Sequence, residues 1–476
     1  MNPFFGRRVE LEKLRRLLKK NTASLAVIKG RRRVGKSRLA EEFGRSLKSY
    51  TFIGLPPEEK VTAQMQRENF TKQMLRYFRF PGIEQLTDWS DIFWHLAEKT
   101  RRGQILIILD EINWVALKDP TFLGKLKTAW DQYFRLNPKL IMILSGSMSA
   151  WIEENILSST AFVGRISLNL TLEELPLHQC SHFWGKKEAL ISSYEKLKLL
   201  SVTGGIPRYL EELDPEVSSD ENIRRLCFEK EGILFEEFEK IFTDLFAKKG
   251  EAYRIILERL SLGKADMGQI CKALQIKKGG TVTQYLHDLK VTGFIAQDTT
   301  WDLKQGAVSK LCDYRLKDNY TRFYLKYILP NKEKIEKGVL IKPPAWDSIM
   351  GLQFENLVLN NSKALWKKLN LKPEDIIFEN PFFQRKTTTQ KGCQIDYLIQ
   401  TKYNVLYLCE IKFSRDPLKK EIIAELKEKI RRLKTPKQFS IMPVLIHVNG
   451  VVDQVVESGF FSHIIDFSEL LKENNL

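Results

Sequence analysis

The stretch Gly30-Arg31-Arg32-Arg33-Val34-Gly35-Lys36-Ser37 limits this chain more than any other. It reads G-x-x-x-x-G-K-[ST]. Its two glycines let a short loop wrap a phosphate with the backbone amides turned inward. The candidate contacts are Gly30, Arg31, Arg32, Arg33, Val34 and Gly35, with Arg38 just beyond. Lys36 brings a compact positive charge to the β- and γ-phosphates, and the Ser37 hydroxyl can sit on Mg²⁺. The flanks agree. Ser24–Ile28 is apolar and β-branched, as a buried strand should be. Arg38–Phe43 is a good helix former, which puts the phosphate at a helix N-terminus. Strand, loop and helix in this order predict nucleotide binding. A plain glycine turn with surface basics does not account for Lys-Ser at the fixed place.

Downstream, Ile105–Leu109 is an uninterrupted apolar run closed by Asp110-Glu111. A strand apolar throughout belongs in a parallel sheet covered on both faces. Two carboxylates at its end suit metal-assisted hydrolysis. Asp110 would hold Mg²⁺, directly or through water, and Glu111 would orient and polarise the attacking water. Leu140–Leu144 is a further strand ending in Ser145-Gly146-Ser147. The Ser147 hydroxyl can touch the γ-phosphate or the water, although Ser-Gly-Ser also makes ordinary turns. Gly164-Arg165 follows. Arg165 can act as a finger on a nucleotide in its own chain or a neighbour's, the latter requiring a homo-oligomer. A surface arginine is the alternative.

Phe5-Gly6-Arg7, Gly30–Ser37, Leu109-Asp110-Glu111, Gly146-Ser147, Gly164-Arg165 and Thr203-Gly204-Gly205-Ile206-Pro207 occur in one order. Together they resemble the STAND-type AAA+ ATPases of archaea and bacteria, relatives of the origin-recognition ATPases. The resemblance covers about the first half of the chain. It implies that the segment around Gly6 packs over the adenine. It also implies that Pro207 and its neighbours, in a helical lid, close over ATP. Many members carry an aromatic where this chain has Arg208, so that residue reads either as a phosphate sensor or as a solvent-facing arginine.

A formal charge of +17 on 476 residues favours an anionic partner, most often nucleic acid. No apolar run reaches the roughly 18 residues of a membrane helix, so no membrane partner is expected. Six cysteines and six histidines are scattered, with no C-x-x-C pair. That pattern suits reduced thiols in a cytoplasmic protein and suggests no zinc or disulfide framework.

Past Gly250 the pattern changes. Ala252–Leu262, Asp266–Leu274 and Gly280–Thr292 read as three helices. Phe294-Ile295 and Trp301–Leu316 read as two short strands. This is the order of a winged helix-turn-helix, whose third helix enters the major groove. Its outward side would carry Thr281, Thr283, Gln284, His287 and Lys290, with Lys277 and Lys278 on phosphates. Intramolecular or protein packing is the competing role. A basic connector, Asn331–Lys342, then carries Lys332, Lys334, Lys337 and Lys342.

In the last part, Ile349–Asn360 reads as a helix with Glu355. Ile376–Phe383, Gln394–Gln400 and Val405–Phe413 read as strands, Leu418–Leu433 as a basic amphipathic helix, and Met442–Val448 as a strand. Glu410 and Lys412, two apart on a strand, share a face. Two carboxylates and a lysine converging with Asp396 suit a Mg²⁺ site. The constellation Glu355, Asp396, Glu410 and Lys412 resembles the PD-(D/E)xK nuclease fold, with Ile395 in place of the usual proline before the aspartate. The resemblance implies that Glu355, Asp396 and Glu410 ligate the metal and that Lys412 serves the chemistry.

The expected architecture is therefore α/β. A P-loop AAA+ parallel sheet spans 1–170, a helical lid 171–245, a winged helix-turn-helix 246–330 and a restriction-endonuclease-like α/β domain 331–476. The expected activity is ATP hydrolysis controlling a DNA-binding and metal-dependent nuclease part. The alternative is an ATP-dependent switch whose last domain only docks DNA or protein. A small-molecule kinase shares the loop but has no use for the basic winged helix or for Glu410-Ile411-Lys412.

Overall fold

The computed structural model describes residues 4–56, 58–78, 87–245, 250–339, 343–388 and 390–472. Lys342 of the expected basic connector lies outside them. The chain divides into two compact units, 1–175 with 206–208 and 239–250, and 176–205 with 209–238 and 251–476.

The first unit is built on five strands: β1 (Ser24–Lys29), β2 (Lys48–Ile53), β3 (Ile105–Asp110), β4 (Leu140–Gly146) and β5 (Ile166–Thr171). Their order is β2-β3-β4-β1-β5, and every pairing is parallel. Strands β1, β3 and β4 are buried along their whole length, as all-apolar central strands of a doubly covered sheet must be. Helices Arg8–Leu17, Lys36–Gly44, Ala63–Tyr77, Trp89–Lys99 and Phe122–Gln132 accompany the sheet. The first seals itself with Leu11, Leu14 and Leu17, one apolar stripe at helical spacing. Strand β5 went unread in the sequence. It is an edge strand, only partly buried, and its pattern Ile-Ser-Leu-Asn-Leu-Thr alternates. The parallel order brings the carboxyl ends of β1, β3 and β4 together. In open α/β sheets ligands bind at such an edge.

The second unit contains helices Ser193–Thr203 and Ser219–Cys227, then three helices and a hairpin, then a second sheet. The Ser193–Thr203 helix is buried at every position from Lys196 to Thr203, and packed elements cover it on all sides. Helices Gly250–Ser261, Met267–Leu274 and Gly280–Val291 lead into antiparallel β6 (Ile295–Trp301) and β7 (Val308–Leu316). Asp266 starts the middle helix with a reciprocal cap, its Oδ1 accepting from Gln269 N at 2.9 Å while its own N donates to Gln269 Oε1 at 3.1 Å. The third helix buries Val282, Leu286 and Leu289. It exposes Thr281, Thr283, Gln284, His287 and Lys290, as expected from its spacing.

The second sheet runs β12-β11-β10-β9-β8, from β8 (Ile376–Gln384), β9 (Cys393–Thr401), β10 (Val405–Ile411), β11 (Ser440–His447) and β12 (His463–Asp466). Strands β8, β9 and β10 are antiparallel, whereas β10, β11 and β12 are parallel. Helix Glu421–Arg432 supplies the crossover from β10 to β11 and buries Ile422 and Leu426. The hairpin rests on this sheet. Trp301 stacks on Phe378 at 5.1 Å between ring centroids, and its Nε1 donates to Gln400 Oε1 at 2.5 Å. Helix Trp346–Asn360 is joined to its surroundings by amides. Gln353 Nε2 donates to Ser201 O at 3.1 Å, and Asn356 Nδ2 to Asn319 Oδ1 at 2.6 Å.

Candidate functional site

The loop after β1 has the backbone its glycines were expected to permit. Gly30 has φ +155°, and a Cβ there would lie 2.4 Å from Leu172 O; Gly35 has φ +90°. Only glycine fits both the angle and the close approach at position 30. Arg33 also takes a positive φ, +73°. The helix begins at Lys36 itself, so its free amides open onto the loop. Lys36 is buried, and its Nζ donates to Gly30 O and Arg31 O, both at 3.0 Å. Burial pulls this ammonium below the ordinary lysine range, against Glu111 and Asp110, which hold it up. Ser37 Oγ donates to Asp110 Oδ2 at 2.6 Å and is exposed. Asp110 Oδ1 accepts from Ser145 Oγ at 2.5 Å. Glu111 Oε2 accepts from Ser147 N at 3.1 Å and from Ser147 Oγ at 2.8 Å. Arg7, next to Gly6 (φ +73°), is buried and donates from Nη2 to Val34 O at 3.0 Å and to Glu173 O. A Cβ on Gly35 would meet Pro207 Cγ at 3.9 Å. Thus Lys36, Ser37, Asp110, Glu111, Ser147 and Pro207 gather at one sheet edge.

The second cluster lies on β9, β10 and the Glu421–Arg432 helix. Cys409 pairs with Tyr397, which sets Glu410 opposite Asp396 one step further along. Asp396 Oδ2 accepts from Ile411 N at 2.9 Å. Glu410 is buried, and Lys412 Nζ lies 3.2 Å from its Oε1 and 2.9 Å from Glu425 Oε2. Burial, and then Asp396, push the Glu410 carboxyl upward. Glu355 is pushed the same way by burial and then by Asp396. Burial opposes charge on Lys412, but Glu425 and Glu410 outweigh it and raise the lysine. Beside this cluster lies a cleft of about 680 Å³ lined by Glu410, Lys412, Glu425, Lys429 and Arg432 among others.

Residues 4–213 match the model of an ATPase domain found predominantly in Archaea. That part of the chain is an archaeal-type ATPase domain. The chain is also 28% identical over 350 residues to an uncharacterized protein of Methanocaldococcus jannaschii, MJECL04, covering 71% of each. Its fold resembles that of a Walker-type ATPase of Pyrococcus abyssi, with TM-score 0.50 and 18% identity over 68% of this chain and 96% of the other. The ORC2 protein of Aeropyrum pernix in its ADPNP–ADP complexes matches at TM-score 0.43 and 14% identity, over 69% of this chain and 95% of the other.

Arg165 is held by a carboxylate of its own domain. It forks onto Asp131, Nε to Oδ1 at 2.8 Å and Nη2 to Oδ2 at 2.9 Å. Asp131 is pulled down to about 2, chiefly by that hydrogen bond. A finger role must first break this fork.

Glu355, Asp396 and Glu410 are the three carboxylates expected to hold the metal. Among the described residues no group of three or more His, Cys, Asp or Glu is arranged to hold a metal ion. Lys429, which the sequence reading missed, stands at two of those carboxylates. Its Nζ lies 2.5 Å from Glu410 Oε2 and 3.3 Å from Asp396 Oδ1. A signal was present. Ile422, Leu426 and Leu433 form the buried stripe of this segment, and Lys429 falls in the same i, i+3/i+4 row. A lysine in an apolar row asks for a buried partner.

Proposed function

We propose that the chain is an ATP-hydrolysing, DNA-associated cytoplasmic protein in which nucleotide state governs a winged helix-turn-helix and a nuclease-like C-terminal part. In the ATPase step, the loop amides and Lys36 hold the β- and γ-phosphates. Mg²⁺ at Ser37 and Asp110 would supply positive charge to the phosphate oxygens. Glu111 orients the attacking water and takes its proton, and Ser147 sets the direction of Glu111. Pro207 and its neighbours close over ATP, with the segment around Gly6 on the base side. Arg165, once released from Asp131, serves as a finger on a nucleotide in its own chain or in a neighbouring copy of a homo-oligomer.

The observation that carries the DNA reading is the third helix of the trio. It turns Thr281, Thr283, Gln284, His287 and Lys290 to solvent while burying its apolar side. Polar side chains on such a face reach base edges, and Lys277 and Lys278, exposed just before it, suit phosphates. The hairpin, occupied by Phe378 and Gln400, is not the reading element. The test is DNA binding, with ATP turnover measured with and without DNA. Loss of binding in Lys277→Ala/Lys278→Ala and His287→Ala is expected; undiminished binding in both removes the reading.

A specific observation favours the docking form of the C-terminal part over cutting: Lys429 occupies both carboxylates a metal would need. Incubating plasmid or single-stranded DNA with Mg²⁺ or Mn²⁺ separates the two. Cutting by wild type and not by Asp396→Ala supports a nuclease. No cutting by either supports docking.

A further inference from the structure

The carboxylates Asp396 and Glu410 face each other across adjoining strands, and each uses both oxygens within the chain. Asp396 Oδ2 takes Ile411 N at 2.9 Å, and its Oδ1 faces Lys429 Nζ at 3.3 Å. Glu410 Oε1 faces Lys412 Nζ at 3.2 Å, and its Oε2 faces Lys429 Nζ at 2.5 Å. Glu410 is 2% exposed, so its charge demands a counter-charge close by. Lys429 is not a loose surface chain that wandered in. Its backbone belongs to a helix anchored by Ile422 and Leu426, and its carbonyl accepts from Cys393 Sγ at 3.4 Å. The stem starts from the buried row, and only the ammonium end can reach the pair.

We propose that Lys429 takes the place of the divalent cation at Asp396 and Glu410, so that the identity of residue 429 decides whether this cluster accepts a metal. A divalent cation and an ammonium cannot share the same two carboxylates, because like charges at contact distance repel strongly in a partly buried setting. With Lys429 seated the cluster is closed and cation-independent. With that ammonium removed, Asp396 Oδ1 and Glu410 Oε2 lose the cation they share while Lys412 stays on Glu410 Oε1, and the two oxygens are hard donors suited to Mg²⁺ or Mn²⁺. The inference rests on the nuclease-like reading of this part only for the idea that a metal is the natural rival. It concerns binding, not cleavage.

The test is Mn²⁺ binding to the full chain without nucleotide, followed by calorimetry and by the electron paramagnetic resonance signal of free Mn²⁺. Wild type is expected to show no Mn²⁺ binding that depends on Asp396. Lys429→Met, which keeps the stem and removes the charge, is expected to gain a site at least about tenfold tighter than any in wild type. Lys429→Gln serves as a second variant should Met disturb folding, and thermal unfolding checks both. The gain should vanish in Asp396→Asn/Lys429→Met. Lys429→Arg, still cationic, should gain nothing. Two results overturn the proposal: wild type binding Mn²⁺ in a manner lost in Asp396→Asn, or both neutral variants folding normally yet gaining no site. DNA cleavage is scored separately. Failure to cut by every variant, with Mn²⁺ gained in Lys429→Met, leaves this inference standing and removes the nuclease. Asp396-dependent cutting by wild type with Mn²⁺ does the reverse.

Discussion

Replacing Lys36 by methionine keeps the stem and deletes the ammonium, and the structure says what that should cost. In the structure Nζ donates two hydrogen bonds, to the carbonyls of Gly30 and Arg31. With ATP bound, the same donors face anionic oxygens of the β- and γ-phosphates. A hydrogen bond to a charged group is worth roughly 1.5–3 kcal/mol, so two are worth about 3–6 kcal/mol; the two carbonyl bonds given up return roughly 1 kcal/mol each. The net is about 1–4 kcal/mol, or roughly fivefold to a thousandfold in Kd. The nucleotide-free protein should not suffer likewise. Burial already lowers the pKa of Lys36, which means the site disfavours the charged form. The variant therefore unfolds no earlier than wild type in the absence of ligand. Nucleotide-induced stabilisation is the second readout. At ATP a hundred times Kd it is about 2.7 kcal/mol; after a hundredfold loss of affinity at the same concentration it falls to about 0.4 kcal/mol. Titration with a fluorescent ATP analogue and thermal unfolding with and without ATP measure both. Should Lys36→Met bind within about threefold of wild type, the ammonium is not the phosphate ligand and the assignment of the site fails.

Glu111→Gln should retain ATP affinity while slowing turnover by about 10²-fold or more, read as phosphate release at saturating ATP; unchanged turnover would remove Glu111 as the base. The Arg165 hydrogen bond pulls the Asp131 carboxyl down to about 2. A carboxyl with a depressed folded pKa stabilises the fold above its unfolded value, near 4, and loses that contribution as pH falls towards about 2. Denaturant unfolding of wild type and Asp131→Asn should therefore differ at pH 6 and converge towards pH 2. Asn319→Ala removes donors to Ser201 O and Gln353 O and the acceptor of Asn356 Nδ2, all buried. A loss of about 1–3 kcal/mol is expected in chemical denaturation. Lys277→Ala and Lys278→Ala should each flatten the salt dependence of DNA binding by about one unit of slope without changing sequence preference. Equal salt slopes would take these lysines off the phosphates.

The elements that were legible share a physical trait: their pattern is decided locally. The strand before Gly30, the apolar run ending at Asp110 and the Leu140–Leu144 run are buried on both faces, so their residues are apolar without interruption. The third helix of the trio was legible because one side is buried and the other is not, and 3.6-residue periodicity records that difference. Strand β5 was missed because an edge strand carries only alternation, over just six residues. The site followed the same division. Lys36, Ser37, Asp110 and Glu111 sit in fixed positions relative to their own strand or loop, so spacing alone located them. Their pairings did not follow from spacing. Ser147 on Glu111, Asp131 on Arg165 and Lys429 on Glu410 join residues 36, 34 and 19 positions apart, and only the packing of separate elements brings them together.

The two sites also differ in how they meet their own charges. In the ATPase domain Ser37 stays exposed while bonded to Asp110, and the hydrogen bonds of Lys36 Nζ go to the neutral carbonyls of Gly30 and Arg31. Neutral partners are readily outbid by phosphate, because a charge-assisted hydrogen bond is roughly twice as strong as a neutral one. The cluster at Glu410 is satisfied by full charges, and two lysines hold the buried carboxylate. Any ligand there must displace ion pairs that compensate the buried Glu410 carboxylate. On the proposed reading the phosphate loop exchanges its internal bonds for ligand, and the C-terminal cluster keeps them.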